Sequence, residues 1–184
     1  NFMYDAGSRA PKQTKLEELN APEATSVGVN AFRNSVLTAV NNSSLRTVHL
    51  PKVQTIGERA FSDLWTLEEA IFPELTEVGE SAFSQNKALA KAEMPKLTYA
   101  PNSLFYSCTG LLSFSGEKVE SVGAQCFERC YALKEVSFPA ATAFGSGCFI
   151  DCESLTKVDF PLCTAISDKM FFIAQTAVCT STLK

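Results

Sequence analysis

The sequence predicts a solenoid of stacked repeats, because three residue types recur with one shared spacing. Phenylalanine and leucine each return every 22 residues, and proline keeps the same step with Glu117 as its one replacement. The recurring positions are Phe61, Phe83, Phe105, Phe127, Phe149 and Phe171; Leu45, Leu67, Leu89, Leu111, Leu133 and Leu155; and Pro51, Pro73, Pro95, Pro139 and Pro161. A fixed period in this range indicates a repeat architecture, and it overrides the one or two globular domains that 184 residues would otherwise suggest.

Each repeat is expected to begin with a half-buried strand. In the repeat that starts at Leu45, the apolar residues Val48 and Leu50 alternate with polar ones, which is the period of a strand with one face in the core. Pro51 ends the strand because proline cannot donate a hydrogen bond to a ladder. We therefore expect parallel strands that begin near the recurring leucines and stay in register from one repeat to the next.

The rest of each repeat predicts a second short strand followed by a turn. Ile56 marks that strand, and Gly57 is expected to permit a sharp turn. Phe61 is expected to lie in a short helical turn on the convex side, with its ring in the core. The equivalent positions are Val78, Ala100, Val122, Phe144 and Ile166 for the strand, and Gly79, Gly123 and Gly145 for the glycine. One repeat of ~20 residues cannot bury its apolar face alone, so the core is expected to run along the stack.

The template extends towards the N-terminus, where Leu16 and Phe32 match it in frame. Phe32 and Phe61 are seven residues further apart than the period requires, and the extra residues fall at 36–44. The helical spacing of Phe32, Val36, Leu37 and Val40 predicts a lengthened convex helix from about Asn30 to Val40. The predicted divisions are a ragged lead-in at 1–14, a seven-rung repeat domain at 15–171, and a C-terminal cap or truncated continuation at 172–184.

The repeat unit, L-x-x-V-x-L/F-P-x-V/L-x-x-I/V-G-x-x-A-F-x-x-C, resembles the BspA-like leucine-rich repeat, also called the Treponema pallidum type. The clearest copies run from Leu133 to Cys152 and from Leu111 to Cys130, and the match extends over roughly Leu16 to Phe171. The departures are Glu117 for proline, Pro101 for glycine, and Leu64 and Asn86 at the usual cysteine.

The resemblance implies a fold class and a setting. The fold class is an α/β leucine-rich-repeat solenoid, a right-handed curved superhelix of parallel strands with short helical turns on the convex side. The setting is the surface or secreted fraction of a host-associated bacterium or a parasitic protist, where such proteins are often adhesins for host matrix proteins or other cells. Repeat class does not determine the ligand, so this function is an expectation by analogy.

Bulk composition excludes several partner classes. The net charge is -4 and no basic block is present, so we expect no nucleic-acid partner. No apolar run approaches the ~20 residues of a membrane span, so no transmembrane segment is expected in this chain. The chain begins at Asn1 rather than Met, which indicates a processed or excised chain, so the absence of a signal peptide is uninformative. We expect a monomer.

The seven cysteines leave three interpretations open. Five of them occupy equivalent places on successive rungs: Cys108, Cys130 and Cys152, and Cys126 and Cys148. They are expected to be buried, reduced thiols that fill small core positions. Disulfides would suit an exported protein, and the odd count leaves at least one thiol free. Metal binding is the third interpretation, although the spacing is not C-x-x-C and no histidine lies nearby.

Catalytic chemistry has little support in the sequence. His49 is the only histidine, it lies at an outward strand position, and no nucleophile is matched to it. Hydrolase, metalloprotease and phosphate-binding motifs are absent. The phenylalanines stay in phase with the buried positions, so they are core and not a stacking platform for nucleotides. We expect no enzyme, no cofactor and no metal.

The candidate ligand face consists of the outward residues of the first strand of each repeat. Small and charged residues dominate it, aromatic residues and arginine are missing, and Ile71 is its one apolar member, so a plain solvated face is an open alternative. The candidate residues are Thr47, His49, Glu69, Ile71, Lys91, Glu93, Ser113, Ser115, Glu135, Ser137, Lys157 and Asp159. Trp65 and Tyr131, near a junction edge, either anchor a ligand or cover the core.

Two functions follow as hypotheses. The first is a non-catalytic cell-surface or secreted module, an adhesin that holds a protein or glycan across several rungs of this face. The alternative is a structural spacer that presents another domain. Neither the ligand nor its source can be named from these residues.

Overall fold

The computed structural model describes residues 16–34, 44–166, 169–171 and 178–179. Within these ranges the regular structure consists of short strands, and no residue is helical. The strands are β1 Glu18–Asn20, β2 Ser26–Val27, β3 Thr47–His49, β4 Thr55–Ile56, β5 Glu69–Ile71, β6 Glu77–Val78, β7 Lys91–Glu93, β8 Tyr99–Ala100, β9 Ser113–Ser115, β10 Ser121–Val122, β11 Glu135–Ser137, β12 Ala143–Phe144, β13 Lys157–Asp159 and β14 Val178–Cys179.

The strands form two parallel ladders, which makes the molecule a β-solenoid of about five turns. The three-residue strands pair as β1–β3, β5–β7 and β9–β11–β13, and β3 packs beside β5 as β7 does beside β9. The two-residue strands pair as β2–β4–β6 and β8–β10–β12. Equivalent residues face one another, as in Glu69 opposite Lys91. The prediction of parallel, in-register strands is therefore confirmed.

A third ladder of hydrogen bonds joins the turn segments, which are residues 57–64, 79–86, 101–108, 123–130 and 145–152. Alternate amides of each segment donate to the segment of the next repeat. The Phe61 amide donates to the Ala82 carbonyl oxygen at 2.9 Å, and the Phe83 amide to that of Leu104 at 3.1 Å. Each turn segment is thus tied to its neighbours by backbone bonds, as the strands are.

The predicted short helical turns are wrong, and this ladder is the reason. In an α-helix every amide bonds to the carbonyl four residues earlier. Here only every second amide bonds within the segment, as that of Ala60 does to Gly57 at 3.2 Å. The amides between them are directed along the stack. This alternation requires left-handed φ values at two places in each segment, for example 51° at Arg59 and 63° at Asp63.

The phenylalanine ladder forms the centre of the core, as predicted. Phe61, Phe83, Phe105, Phe127 and Phe149 are all 0% exposed. Their rings stack with centroid separations of 5.4, 6.0, 5.4 and 5.6 Å along the series. Further aromatic side chains pack against this ladder, namely Phe72, Phe114, Phe138 and Phe144, and Phe160 in turn contacts Phe144.

The recurring glycines serve close packing between repeats, which corrects the turn role expected for Gly57. Positive φ is confined, among the described glycines, to Gly147. A Cβ atom on Gly79 would lie 2.3 Å from the Glu58 backbone nitrogen, and one on Gly145 would lie 2.3 Å from that of Ala124. Side chains at these positions would therefore push neighbouring turns apart.

The cysteine column has a hydrogen-bonding role in addition to filling space. The thiols of Cys108, Cys130 and Cys152 donate to the carbonyl oxygens of Phe83, Phe105 and Phe127 at 3.0, 3.2 and 3.1 Å. Cys108, Cys126, Cys130, Cys148, Cys152 and Cys163 are buried and have free thiols. Burial raises the pKa of Cys108 and of Cys152 to about 12. The expectation of buried thiols holds for each of the five predicted residues.

The ends of the solenoid depart from the template. Val178–Cys179 forms β14, parallel to β13, with Lys157 opposite Val178, so the pairing is one residue short of the period. Ile166, predicted in a second strand, lies in none and is 42% exposed. Residues 30–34 of the predicted convex helix are described and contain no helix. The lead-in at 1–14, the rest of that helix, the insert up to residue 43 and most of 172–184 lie outside the described residues.

Candidate functional site

The twelve predicted ligand-face residues form one continuous surface, which we call the first-strand strip: residues 47, 49, 69, 71, 91, 93, 113, 115, 135, 137, 157 and 159. Nine of them are exposed, and Ile71, Ser137 and Asp159 are half-buried. The residue between each pair faces inward, as Ala70, 0% exposed, does between Glu69 and Ile71. The alternation of the strands therefore places both columns of the strip on the side away from the core.

Charges on the strip are largely neutralised by ion pairs. Lys91 Nζ lies 2.9 Å from Glu93 Oε1, and Lys157 Nζ lies 3.6 Å from Glu135 Oε2. The pKa of Lys91 is raised, first by its hydrogen bond to Glu93 and then by the charge of the same carboxylate. These pairs leave the strip polar, with neither sign of charge dominant over a wide area.

A shallow depression of about 220 Å³ lies within the strip. Small side chains create it where β9 and β11 meet: Ser113, Ser115 and Ser137 project less than the lysines and glutamates on either side. Lys157 and Asp159 form one rim, and the Ser137 hydroxyl donates to Asp159 Oδ2 at 3.4 Å. This is the part of the strip where a projecting group of a partner could enter.

The other singled-out residues lie apart from that depression. His49 is exposed at the end of β3. Trp65 is half-buried under Lys87, whose Nζ is 3.8 Å from the ring centroid. Tyr131 is 39% exposed. The structure therefore does not bring these residues together into one site.

The turn segments carry a second depression, of about 310 Å³, that sequence reasoning missed. We call it the turn-side depression. Polar side chains from four successive turn segments and from Arg33 line it. They are Arg33, Arg59, Ser62, Asp63, Ser81, Ser84, Gln85, Ser103, Tyr106 and Gln125.

Asp63 is the most unusual residue of the turn-side depression, since it is a carboxylate that is only 3% exposed. Its Oδ2 accepts a hydrogen bond from the Ser62 hydroxyl at 3.1 Å and lies 3.7 Å from Arg33 Nε. Its Oδ1 is buried and has no hydrogen-bond partner in the described part of the chain. A buried carboxylate oxygen without a donor is costly, because it has lost its hydration.

One sequence signal could have revealed this depression. Its polar residues share a phase with the phenylalanine ladder, at positions such as Ser62 and Ser84, where a helical turn in contact with the core would be expected to carry apolar residues. Ser62 is 1% exposed and Ser84 is 9% exposed. Buried polar residues at recurrent positions are a sign of a functional surface, but the sequence interpretation assigned no role to them.

The described residues contain no cluster of three or more histidine, cysteine, aspartate or glutamate side chains that could hold a metal ion. Within the same residues, no helix is long and apolar enough to cross a membrane.

The repeat unit identifies the family. Residues 37–156 match the family model for the BspA type leucine-rich repeat region, in six copies. The chain belongs to the BspA-type leucine-rich repeat family. No curated protein matches the sequence.

Solved structures of other leucine-rich repeat proteins share this fold. The Treponema pallidum leucine-rich repeat protein is 23% identical with a TM-score of 0.65, and 77% of this chain and 79% of that chain are covered. A leucine-rich repeat protein from Eubacterium ventriosum is 20% identical with a TM-score of 0.60, over 86% of this chain and 40% of that one. A leucine rich cell surface protein from Faecalibacterium prausnitzii is 18% identical with a TM-score of 0.50, over 84% and 61%. The BspA-type chain thus spans less than two thirds of the latter two.

Proposed function

We propose that this BspA-type solenoid is a non-catalytic binding module at the cell surface or in the secreted fraction, and that it acts as an adhesin. The first-strand strip holds a protein or glycan across several rungs. The observation that carries this proposal is the strip itself, a face on six parallel strands that is polar except for Ile71, with a depression at Ser113, Ser115 and Ser137.

Three further observations support the proposal. Solenoids use such extended faces for binding and are generally non-catalytic. The strip carboxylates Glu93 and Glu135 are engaged by Lys91 and Lys157. The neighbour from Faecalibacterium prausnitzii is described as a cell surface protein, which agrees with the proposed setting.

The test exchanges two charges on the strip without changing its net charge. Lys91→Glu combined with Glu93→Lys keeps an ion pair on the same strand but reverses its polarity. Glu74→Lys combined with Lys96→Glu is the matched control, because this pair is equally exposed and lies outside the strip. Both doubles should melt at the parent temperature, since exposed ion pairs contribute only about 0–1 kcal/mol.

Binding is then measured against immobilised matrix proteins and a glycan array. We expect the strip exchange to weaken binding to an identified partner by about tenfold or more, and the control exchange to leave it unchanged. Equal affinities for the parent and the strip exchange would show that the strip is the wrong surface. The absence of any partner would favour the alternative function, a structural spacer that presents another domain.

A further inference from the structure

The turn-side depression is bounded by side chains whose hydrogen-bonding capacities are mixed. Asp63 provides acceptors, Arg33 and Arg59 provide donors, and the serines and glutamines around them provide both. Its volume of about 310 Å³ is at the lower end of the ~300–1,000 Å³ typical of small-molecule sites. The depression therefore suits one small ligand that is rich in both donors and acceptors.

The charges around the depression argue against an ion as the ligand. Arg33 lies 3.7 Å from the Asp63 carboxylate, and Arg59 lies 2.8 Å from that of Glu58. An anion would meet the buried carboxylate, and a cation would find a single carboxylate beside two guanidinium groups. An apolar ligand would find little more than the ring of Tyr106. A ligand with many hydroxyl groups satisfies these walls best, because each hydroxyl both donates and accepts.

We propose that the turn-side depression binds a single sugar unit of a glycan. This site is separate from the first-strand strip, because its residues come from the turn segments and none of them belongs to the strip. A water molecule that bridges a sugar hydroxyl and the Asp63 carboxylate supplies the donor that Oδ1 lacks. The hydroxyls of Ser81, Ser84 and Ser103 bind the remaining edge of the sugar ring.

Tyr106 contributes an aromatic ring to the lining of the depression, and Arg129 fixes the position of that ring. Arg129 Nη1 donates to the Tyr106 hydroxyl at 2.8 Å, and Arg129 Nε lies 3.6 Å from Asp151 Oδ2. The tyrosine is therefore fixed by a residue outside the depression, and its own half-buried ring remains the apolar surface that the sugar contacts.

Two variants and one matched control test the site in the full chain. Asp63→Asn keeps the shape and removes the charged acceptor. Ser103→Gln fills the depression, and the backbone tolerates it because Gln125 has the same left-handed conformation in the next repeat, with φ of 56° against 55°. Ser107→Gln is the control: it is the same change at a left-handed position, φ 59°, outside the depression, and Gln85 shows that glutamine fits there with φ of 62°.

Amide NMR spectra are recorded while free mannose, galactose, glucose and N-acetylglucosamine are added separately at millimolar concentration. We expect at least one sugar to cause saturable shifts of the amides of Ser81, Ser84 and Ser103. Asp63→Asn and Ser103→Gln should each weaken its binding by about tenfold or more, the effect of losing a hydrogen bond to a charged group or the space for the ring. Ser107→Gln should bind like the parent.

Three outcomes would overturn the proposal: no saturable shift with any of the four sugars, shifts on the first-strand strip instead, or parent affinity in Ser103→Gln. Because Ser103→Gln leaves the buried carboxylate intact, it decides the question even where Asp63→Asn fails to fold. The charge exchange of Lys91 and Glu93 should not alter sugar binding, so the strip and this site are tested independently.

Discussion

Truncating Phe127 to alanine tests whether the phenylalanine ladder holds the solenoid together. The ring is 0% exposed and contacts four other rings. It stacks on Phe105 and Phe149 at 5.4 and 5.6 Å, and it packs against Phe114 and Phe138 at 5.5 and 5.9 Å. Removing it opens a cavity between two repeats and separates the stacked rings on either side.

The expected cost follows from this environment. Burial of a phenylalanine ring and the cavity left by its removal together cost about 3–5 kcal/mol. The upper part of this range is expected for Phe127, because each lost aromatic pair adds ~0.5–1.5 kcal/mol beyond the buried area. For a chain of 184 residues, about 2–4 °C per kcal/mol gives a fall in melting temperature of about 6–20 °C.

Thermal and urea unfolding followed by circular dichroism measure the change. Phe171→Ala is the control, because Phe171 is half-buried and lies beyond Phe149 in the ladder. It should cost about 1–2 kcal/mol, since a half-exposed ring loses only part of the ~1.5–3 kcal/mol of full burial. A Phe127→Ala protein that melts at the parent temperature, or no lower than Phe171→Ala, would refute the reasoning.

Three further predictions concern other features of the core. Burial raises the pKa of Cys108 from 9.0 to about 12. At about pH 8, the smaller thiolate fraction alone should slow reaction with a thiol reagent about 10³-fold relative to the urea-unfolded chain, and equal rates would contradict the burial of Cys108. A chelator should leave the melting temperature unchanged. The same raised pKa contributes stability that is complete below about pH 9 and is lost as the pH rises to about 12, so Cys108→Ala should show a shallower alkaline loss of unfolding free energy than the parent. Gly145→Ala should lower the free energy of unfolding by about 1–3 kcal/mol, because its Cβ would lie 2.3 Å from a backbone nitrogen. Gly28→Ala is the control and should be nearly neutral, because nothing lies within 4 Å of its Cβ position. Equal melting temperatures for the two variants would contradict the packing role of Gly145.

The period predicted the features that depend on which residues face the core. Phe83 and Leu89 each belong to a series that recurs every 22 residues. Their burial could be predicted because each repeat must stack its apolar face on the adjacent repeats. The parallel register followed as well, since a constant repeat length places Glu69 beside Lys91. The exposure of both columns of the strip required only the alternation of side chains along a strand.

The turn segments could not be predicted because their conformation depends on contacts between repeats. Ala60 and Phe61 have the spacing and size of residues in a helical turn, and nothing local opposes that conformation. The hydrogen bond from the Phe61 amide to the carbonyl oxygen of Ala82 in the next turn segment replaces the helical hydrogen bond, and it can form only when the repeats are stacked. The turn-side depression was missed for the same reason, because the assumed helix gave no cause to bury Asp63 or Ser84.

Stacking between repeats also explains the identity of many outward residues. Residues 22 positions apart lie side by side, so opposite charges pair along a column, as Arg46 does with Glu68 and Lys157 with Glu135. The polarity of the strip is therefore partly a requirement of the repeat. Asp63 is different: its column neighbour is Gln85, and its Oδ1 obtains no donor from the described residues. Stacking accounts for the Lys157–Glu135 pair of the strip but not for this buried carboxylate, and that difference is the reason the proposed sugar site is placed at the turn-side depression.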